Sequence, residues 1–313
     1  MTGAARSARA FAPSSIGNIG VGFDLLGHTF DGPRDHATVV RIAEPTVRID
    51  GILGEAGVVA RLPREPSRNT AGRALQSLRE TLGLAHGFAI TLDKGIPLGS
   101  GFGGSAASCV AALVAANALL DAPLPQAALY PFALDGEAVA SDSRQGDNVG
   151  PMLLGGIALA TVDRLLPLPC PPWLHAVVVH PDQVLETRAS RAVLVDPFPL
   201  SQVVAHAGHL ALFMSGLHAA DADLLRAGLH DVLVEPRRAA LVPGFVEAKA
   251  AALALGALGS SLSGAGPSVF GWFASRAEAD AAAPAMIAAF NARGITARAY
   301  VSPVAGPRAA VID

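Results

Sequence analysis

A chain of 313 residues with 16% charged side chains and a formal net charge of −3 has no basic stripe able to neutralise many phosphates, so a nucleic-acid partner is not expected. Hydrophobic residues make up 51% and mean hydropathy is +0.42, yet no apolar run reaches the roughly 20 residues of a membrane span, which argues against a membrane partner. The length favours two domains with a substantial core. Residues 1–12 hold arginines but no apolar stretch of signal-peptide length, so a cytoplasmic location is expected. Cys109 and Cys170 offer neither a disulfide framework nor zinc spacing and read as buried thiols. Lys94 and Lys249 are the only lysines, which argues against a lysine-centred mechanism.

In chain order, residues 12–27 combine glycines with Asn18 and Asp24; taken singly, these two read as turn residues bonding their own backbone. Strand patterns follow at 37–42, 47–49 and 88–92. Residues 97–107 place Gly99, Gly101, Gly103 and Gly104 between a strand and a helix. The helix predicted at 105–120 is alanine- and leucine-rich and reads as buried; Asp121, Pro123 and Pro125 end it. A second helix at 125–140 leads into a polar loop at 141–151, a candidate site, and then an apolar stretch at 152–161. Pro167, Pro169, Pro171 and Pro172 crowd residues 164–173, which places the domain boundary there and gives domains 1–165 and 166–313. Beyond it the pattern predicts a strand at 175–180, helices at 201–217, 221–230 and 245–258, a glycine loop at 261–268, the strand Val269–Phe273 and a helix at 277–292. His206 and His209, three apart on one helix without a carboxylate or cysteine nearby in sequence, read as packing groups and not as metal ligands.

The glycines of 97–107 free backbone amides to meet phosphate oxygens, and the following helix adds unpaired N–H groups at its positive end. A Walker A loop is excluded, because Ser105 and not lysine follows Gly104. Gly99, Gly101 and Gly104 formally fit a dinucleotide fingerprint, but the acid it requires should end a second strand, whereas Asp121 ends the alanine-rich helix itself.

The stretch Pro97, Leu98, Gly99, Ser100, Gly101, Phe102, Gly103, Gly104, Ser105, Ala106, Ala107 resembles the phosphate loop of the GHMP kinases, P-x-G-S-G-L-G-S-S-A-A, departing at Phe102 and Gly104. Residues 12–27 resemble the family's first motif in its homoserine-kinase form, with Gly17 for alanine, and 261–270, with Gly264 and Gly266, resemble its third. The resemblance implies an α+β fold, a ribosomal-protein-S5-like N-terminal domain on a ferredoxin-like C-terminal one, with ATP, Mg²⁺ and an alcohol substrate bound between them. It further implies that Pro97, Gly99, Ser100, Gly101, Phe102, Gly103, Gly104, Ser105, Ala106, Gly264 and Gly266 bind nucleotide, with Asn69 at the adenine end, and that Ser105 and Glu137 bind the metal ion. The match extends to Asp147, Asn148, Val149, Gly150 and Pro151, which correspond to the family's D-N-V-x-P segment. By the same resemblance Asn18, Asp24, Asp147, Asn148, Arg191 and Arg238 would form a pocket for L-homoserine. Ser105, Glu137, Asn148 and Thr187 would serve catalysis without a clear general base, and the protein would be a dimer. Gln145 stands where relatives often carry histidine.

Overall fold

The structure is a computed structural model describing residues 7–54, 59–141 and 143–312. Residues 1–6 and Asp142 of the polar loop, both used in the sequence reading, lie outside the described residues.

The first sheet contains β1 (Ser7–Gly17), β2 (Leu26–Ile42), β3 (Val47–Leu53), β4 (Gly87–Asp93), β5 (Ile157–Ala160) and β6 (Leu165–Pro167). β1, β2 and β4 pair antiparallel, β3 lies parallel to β4, and β5 joins the near end of β2. Helices α1 (Thr70–Thr81), α2 (Gly104–Ala118), α3 (Tyr130–Ser141) and α4 (Val149–Leu154) stack with α2 against β1 and β2, and with α1, α3 and α4 against α2. Every residue of α2 from Ala106 to Ala116 is buried, which its small, uncharged side chains allow. The apolar stretch 152–161 is split between α4 and β5, because Gly155 and Gly156 turn the chain with φ of +82° and +59°.

The second sheet contains β7 (His175–Pro181), then, after helices α5 (Thr187–Ala192), α6 (Leu200–Ala219), α7 (Ala222–Gly228), α8 (Glu235–Arg238) and α9 (Phe245–Ala254), the strands β8 (Gly259–Leu262) and β9 (Val269–Phe273), helix α10 (Arg276–Asn291) and β10 (Ala297–Pro303). Its antiparallel order β10-β7-β9-β8 is the ferredoxin-like arrangement. The alternation of a strand decides which core each side chain joins. Val177, Val179, Val269 and Phe273 face α9 and α10, while Val178, Phe270 and Trp272 belong to the core shared with the first sheet. Trp272 Nε1 donates to His28 Nε2 across this seam at 3.1 Å. His28 is fully buried, and that burial lowers its pKa to about 4, so it bridges the two sheets as a neutral ring. A last strand, β11 (Ala310–Val311), returns to pair with β1.

Candidate active site

The loop between β4 and α2 turns on Gly99, Gly101 and Gly103, whose φ angles are +63°, +80° and +68°. Two of these positions also exclude a side chain by space. A Cβ on Gly101 would lie 2.5 Å from the Ser263 carbonyl, and one on Gly103 would lie 2.6 Å from Ser15 Oγ. No side chain caps the start of α2, so its first N–H groups are directed at the loop's concavity, as anion binding requires. From behind, the buried amine of Lys94 pairs with Asp35 and donates to the Gly104 carbonyl at 2.7 Å and to Ser108 Oγ at 2.8 Å. Asp35 in turn accepts the N–H groups of Gly95 and Ile96 at 3.1 and 3.0 Å. From the other domain, Ser263 Oγ donates to the Gly101 carbonyl at 2.7 Å and Ser268 Oγ to that of Ser100 at 2.6 Å.

Ser105, on the first turn of α2, donates to Glu137 Oε2 on α3 at 3.3 Å. Burial pushes the Glu137 carboxyl up to about 7, against the opposing hydrogen bond from Ser105. A hard carboxylate whose burial a cation would relieve, beside the exposed Ser105 hydroxyl, fits Mg²⁺ completed by phosphate oxygens and water. Among the described residues no group of three or more His, Cys, Asp or Glu could hold a metal by itself, so the fit is to an ion shared with a ligand.

Asp147 and Asn148 close the polar loop. Asp147 is buried and its carboxyl is raised to about 7, first by desolvation and then by Asp24, with Arg191 opposing. Asn148 Oδ1 accepts from Ser15 Oγ at 2.7 Å. A Cβ on Gly17 would come within 2.3 Å of Asp147 Oδ2, so the glycine that replaces the family's alanine is what lets β1 pass this close.

Opposite them, Asn18, Ile19 and Gly20 are successive left-handed residues with φ of +69°, +39° and +60°, and Asp24 is another at +60°. Asparagine and aspartate tolerate this region; a β-branched isoleucine there is strained, as backbone at ligand sites often is. Asn18 holds the turn by accepting the Asp24 N–H at 2.9 Å and joins the domains by donating to the Gly264 carbonyl at 2.9 Å. Arg191 Nη2 donates to both Asp24 oxygens at 2.7 and 2.9 Å. Arg238 is buried, donating to the carbonyls of Ser190 at 3.1 Å and Gly264 at 3.3 Å. Desolvation first, and then Arg191, lower its pKa to about 10, which leaves it charged at neutral pH. Both guanidiniums flank the Phe23 ring, at 5.4 and 5.1 Å from its centroid. Asp24 neutralises one arginine, so the pair retains one positive charge for an incoming anion.

A cleft of about 500 Å³ joins these parts. Asn18, Asp24, Pro97, Gly99, Ser100, Gly101, Gly103, Gly104, Ser105, Glu137, Asp147, Asn148, Thr187, Arg191, Arg238, Gly264 and Gly266 all line it. Three expected residues do not. Asn69 caps α1, accepting the N–H groups of Ala71 and Gly72 and donating to the Pro63 carbonyl. Phe102 is buried against Phe30 and Tyr300, and Ala106 is buried in α2. Gln145 lines the cleft and donates to Ser143. His206 lies 3.7 Å from Asp231, and His209 meets the His230 carbonyl at 3.0 Å. Sequence reasoning missed Ser15, Lys94, Ser190, Ser263 and Ser268, which position the binding loops. Four of them lie within or beside the recognised motifs, but only contacts from distant segments reveal what they hold.

The chain matches the family model for the GHMP kinases N terminal domain over residues 69–156 and that for the GHMP kinases C terminal over 213–292. It is similar to a homoserine kinase of Xanthomonas campestris, 58% identical over 98% of this chain and 94% of that protein. It is similar also to one of Xylella fastidiosa, 55% identical over 99% and 95%. Among solved structures it resembles a homoserine kinase from Cytophaga hutchinsonii with a TM-score of 0.93 at 39% identity, covering 100% of this chain and 99% of that one.

Proposed function

The chain belongs to the GHMP kinase family, in its homoserine-kinase branch, and from that premise we propose how its residues divide the phosphorylation of the L-homoserine side-chain hydroxyl by ATP. The glycine loop and the start of α2 hold the triphosphate through backbone N–H groups. Ser105 and Glu137 hold Mg²⁺, which when bound supplies positive charge to the phosphate oxygens; phosphoryl transfer depends mainly on such positioning and electrostatics. Ionised Asp147 takes the substrate ammonium. Arg191 and Arg238 take its carboxylate, a pairing suited to guanidinium forks. Asn18 and Asp24 hold the turn that presents Arg191, while Asn148 and Thr187 flank the reacting hydroxyl. No group in this set is a general base, so the hydroxyl proton passes to the transferred phosphate.

The observation that carries this reading is the cleft itself: a phosphate-type loop at one end and a buried carboxylate facing two arginines at the other, a match for a zwitterion beside a triphosphate. We also place the domain division near residue 165, at β6, the strand of the first sheet that precedes the second, and take the working protein to be a cytoplasmic homodimer; no helix among the described residues is long and apolar enough to cross a membrane. The test is ADP release with Mg-ATP against L-homoserine, D-homoserine, L-threonine, L-serine, mevalonate and galactose. Turnover confined to L-homoserine is expected; equal turnover of mevalonate or galactose would remove the amino-acid pocket.

A further inference from the structure

The phosphate loop belongs to the first domain, yet three successive carbonyls of it are held by the second. The Leu185 N–H donates to the Gly99 carbonyl at 3.1 Å, Ser268 donates to that of Ser100 through Oγ at 2.6 Å and N–H at 3.3 Å, and Ser263 Oγ donates to that of Gly101 at 2.7 Å. A trans peptide points its C=O and N–H in opposite directions. Drawing the Ser100 carbonyl toward Ser268 therefore turns the N–H of Gly101, which lines the cleft, away from Ser268 and keeps a partial negative charge out of the phosphate site. The buried Ser268 hydroxyl has one proton for this work, and a second group stands beside it: His180 Nδ1 lies 3.1 Å from the same Oγ. His180 is on β7, where the alternation of the strand sets it on the side of Ala176 and Val178, in the core shared with the first sheet. Its ring centroid is 5.3 Å from that of Phe102, so one histidine of the second domain meets the loop twice, through Ser268 and through Phe102.

We propose that His180 is a positioning residue for nucleotide binding: its Nδ1–H donates to Ser268 Oγ and thereby commits the Ser268 proton to the Ser100 carbonyl. A carbonyl oxygen only accepts, so at 2.6 Å Ser268 is the donor to Ser100, and its oxygen is left to accept from His180. Burial lowers the His180 pKa, with Asp182 opposing and Arg298 adding to the fall, so the ring is neutral at pH 7 and has a single N–H to place. With that hydrogen on Nε2, the Ser268 hydroxyl would face two acceptors and could be drawn off the loop. With it on Nδ1, the two bonds run in one direction, from β7 through Ser268 to Ser100, and polarise one another. This relay rests on the nucleotide reading given above, in which the loop holds the triphosphate.

Nitrogen NMR of the histidine-labelled protein tests the proton directly. The ring signal that disappears in His180→Leu is expected to report hydrogen on Nδ1; hydrogen on Nε2 alone would overturn the relay. His180→Leu keeps an apolar contact for Phe102 and loses the N–H, and it is expected to raise the Kd of Mg-ADP about fivefold, the scale of one neutral hydrogen bond, with KM for L-homoserine unchanged. His180→Asn sets an amide N–H where Nδ1 stood and is expected to recover most of the lost affinity. In a Ser268→Ala background His180→Leu is expected to add nothing, because the effect passes through that hydroxyl. An asparagine variant as weak as the leucine one, equal losses toward both substrates, or additive losses in the double variant would make His180 a packing residue and overturn the proposal. A wild type that binds Mg-ADP and responds to these variants but rejects L-homoserine would change the substrate and support the relay. A wild type that does not bind Mg-ADP would remove the phosphate reading and this proposal with it.

Discussion

Helices α2 and α6 share one property, the absence of formal charge, and have opposite surroundings. Both are free of Asp, Glu, Lys and Arg, though only α2 is alanine-rich. α2 is buried from Ala106 to Ala116 because a sheet and three helices enclose it, whereas α6 is buried only near its C-terminal end. The absence of charge therefore permits burial without requiring it, and the fold decides which helix is enclosed. For α2 the cover is complete, and its free end becomes the floor of the phosphate site. For α6 the cover reaches only Phe213, Gly216 and Leu217, and its N-terminal half stays at the surface.

The largest expected effect comes from putting a charge in the wrong one of the two. Ala111→Asp places a carboxylate in the closed core around α2 with no partner, and loss of cooperative folding is expected, more than about 4 kcal/mol in thermal or denaturant melts. The matching charge on α6, Val204→Glu, should change the stability of the monomer by no more than about 0.5 kcal/mol. A large loss of monomer stability there would mean that α6 is covered by its own chain.

Next in size is the anchor at the N-terminal end of α2. Lys94→Met leaves Asp35 buried without its cation, and breaking such a pair costs about 3–5 kcal/mol. Because Lys94 also holds the Gly104 carbonyl, KM for ATP should rise more than KM for L-homoserine; equal rises would separate Lys94 from the phosphate loop.

Glu137→Gln keeps the shape of the site and removes the charge facing the start of α2. A fall in kcat of about 10²-fold is expected, the scale of losing a group that stabilises transferred charge. Its pH signature has a definite sign. The folded Glu137 and Asp147 carboxyls titrate near 7, above their ordinary values of 4.5 and 3.8. The folded state therefore binds more protons than the unfolded chain between those values, and their contribution to stability falls as pH rises from about 4 to about 7. Glu137→Gln should flatten that fall in the melting temperature of the unliganded protein. Turnover requires both carboxylates ionised, so kcat/KM for L-homoserine should rise with pH through about 7; a profile flat from 6 to 8 would contradict the assignment.

Much of this was legible in the chain. The phosphate loop could be read because backbone amides can approach phosphate only where glycines permit positive φ, and that requirement is local. The buried character of α2 followed from its composition, and the strand Val269–Phe273 from its apolar run. β1 escaped notice because Pro13 and two buried serines, Ser14 and Ser15, break any apolar alternation. α1 was missed as well, and with it the capping role of Asn69, a residue that the motif match alone sets at the nucleotide.

Local requirements, then, were determined by the sequence itself: which segments turn on glycine, which helices reject charge, and which carboxylates and arginines are available to meet a ligand. Only the tertiary structure decided what depends on residues far apart in the chain meeting. It set Asp24 against Arg191, tied Asn18 to the Gly264 carbonyl, and buried Lys94 with Asp35 behind the phosphate loop. It also enclosed α2 while leaving α6 open to solvent. The physical reason is that burial, which shifts Glu137 and Asp147 to about 7 and Arg238 to about 10, belongs to a location in space and not to a residue type.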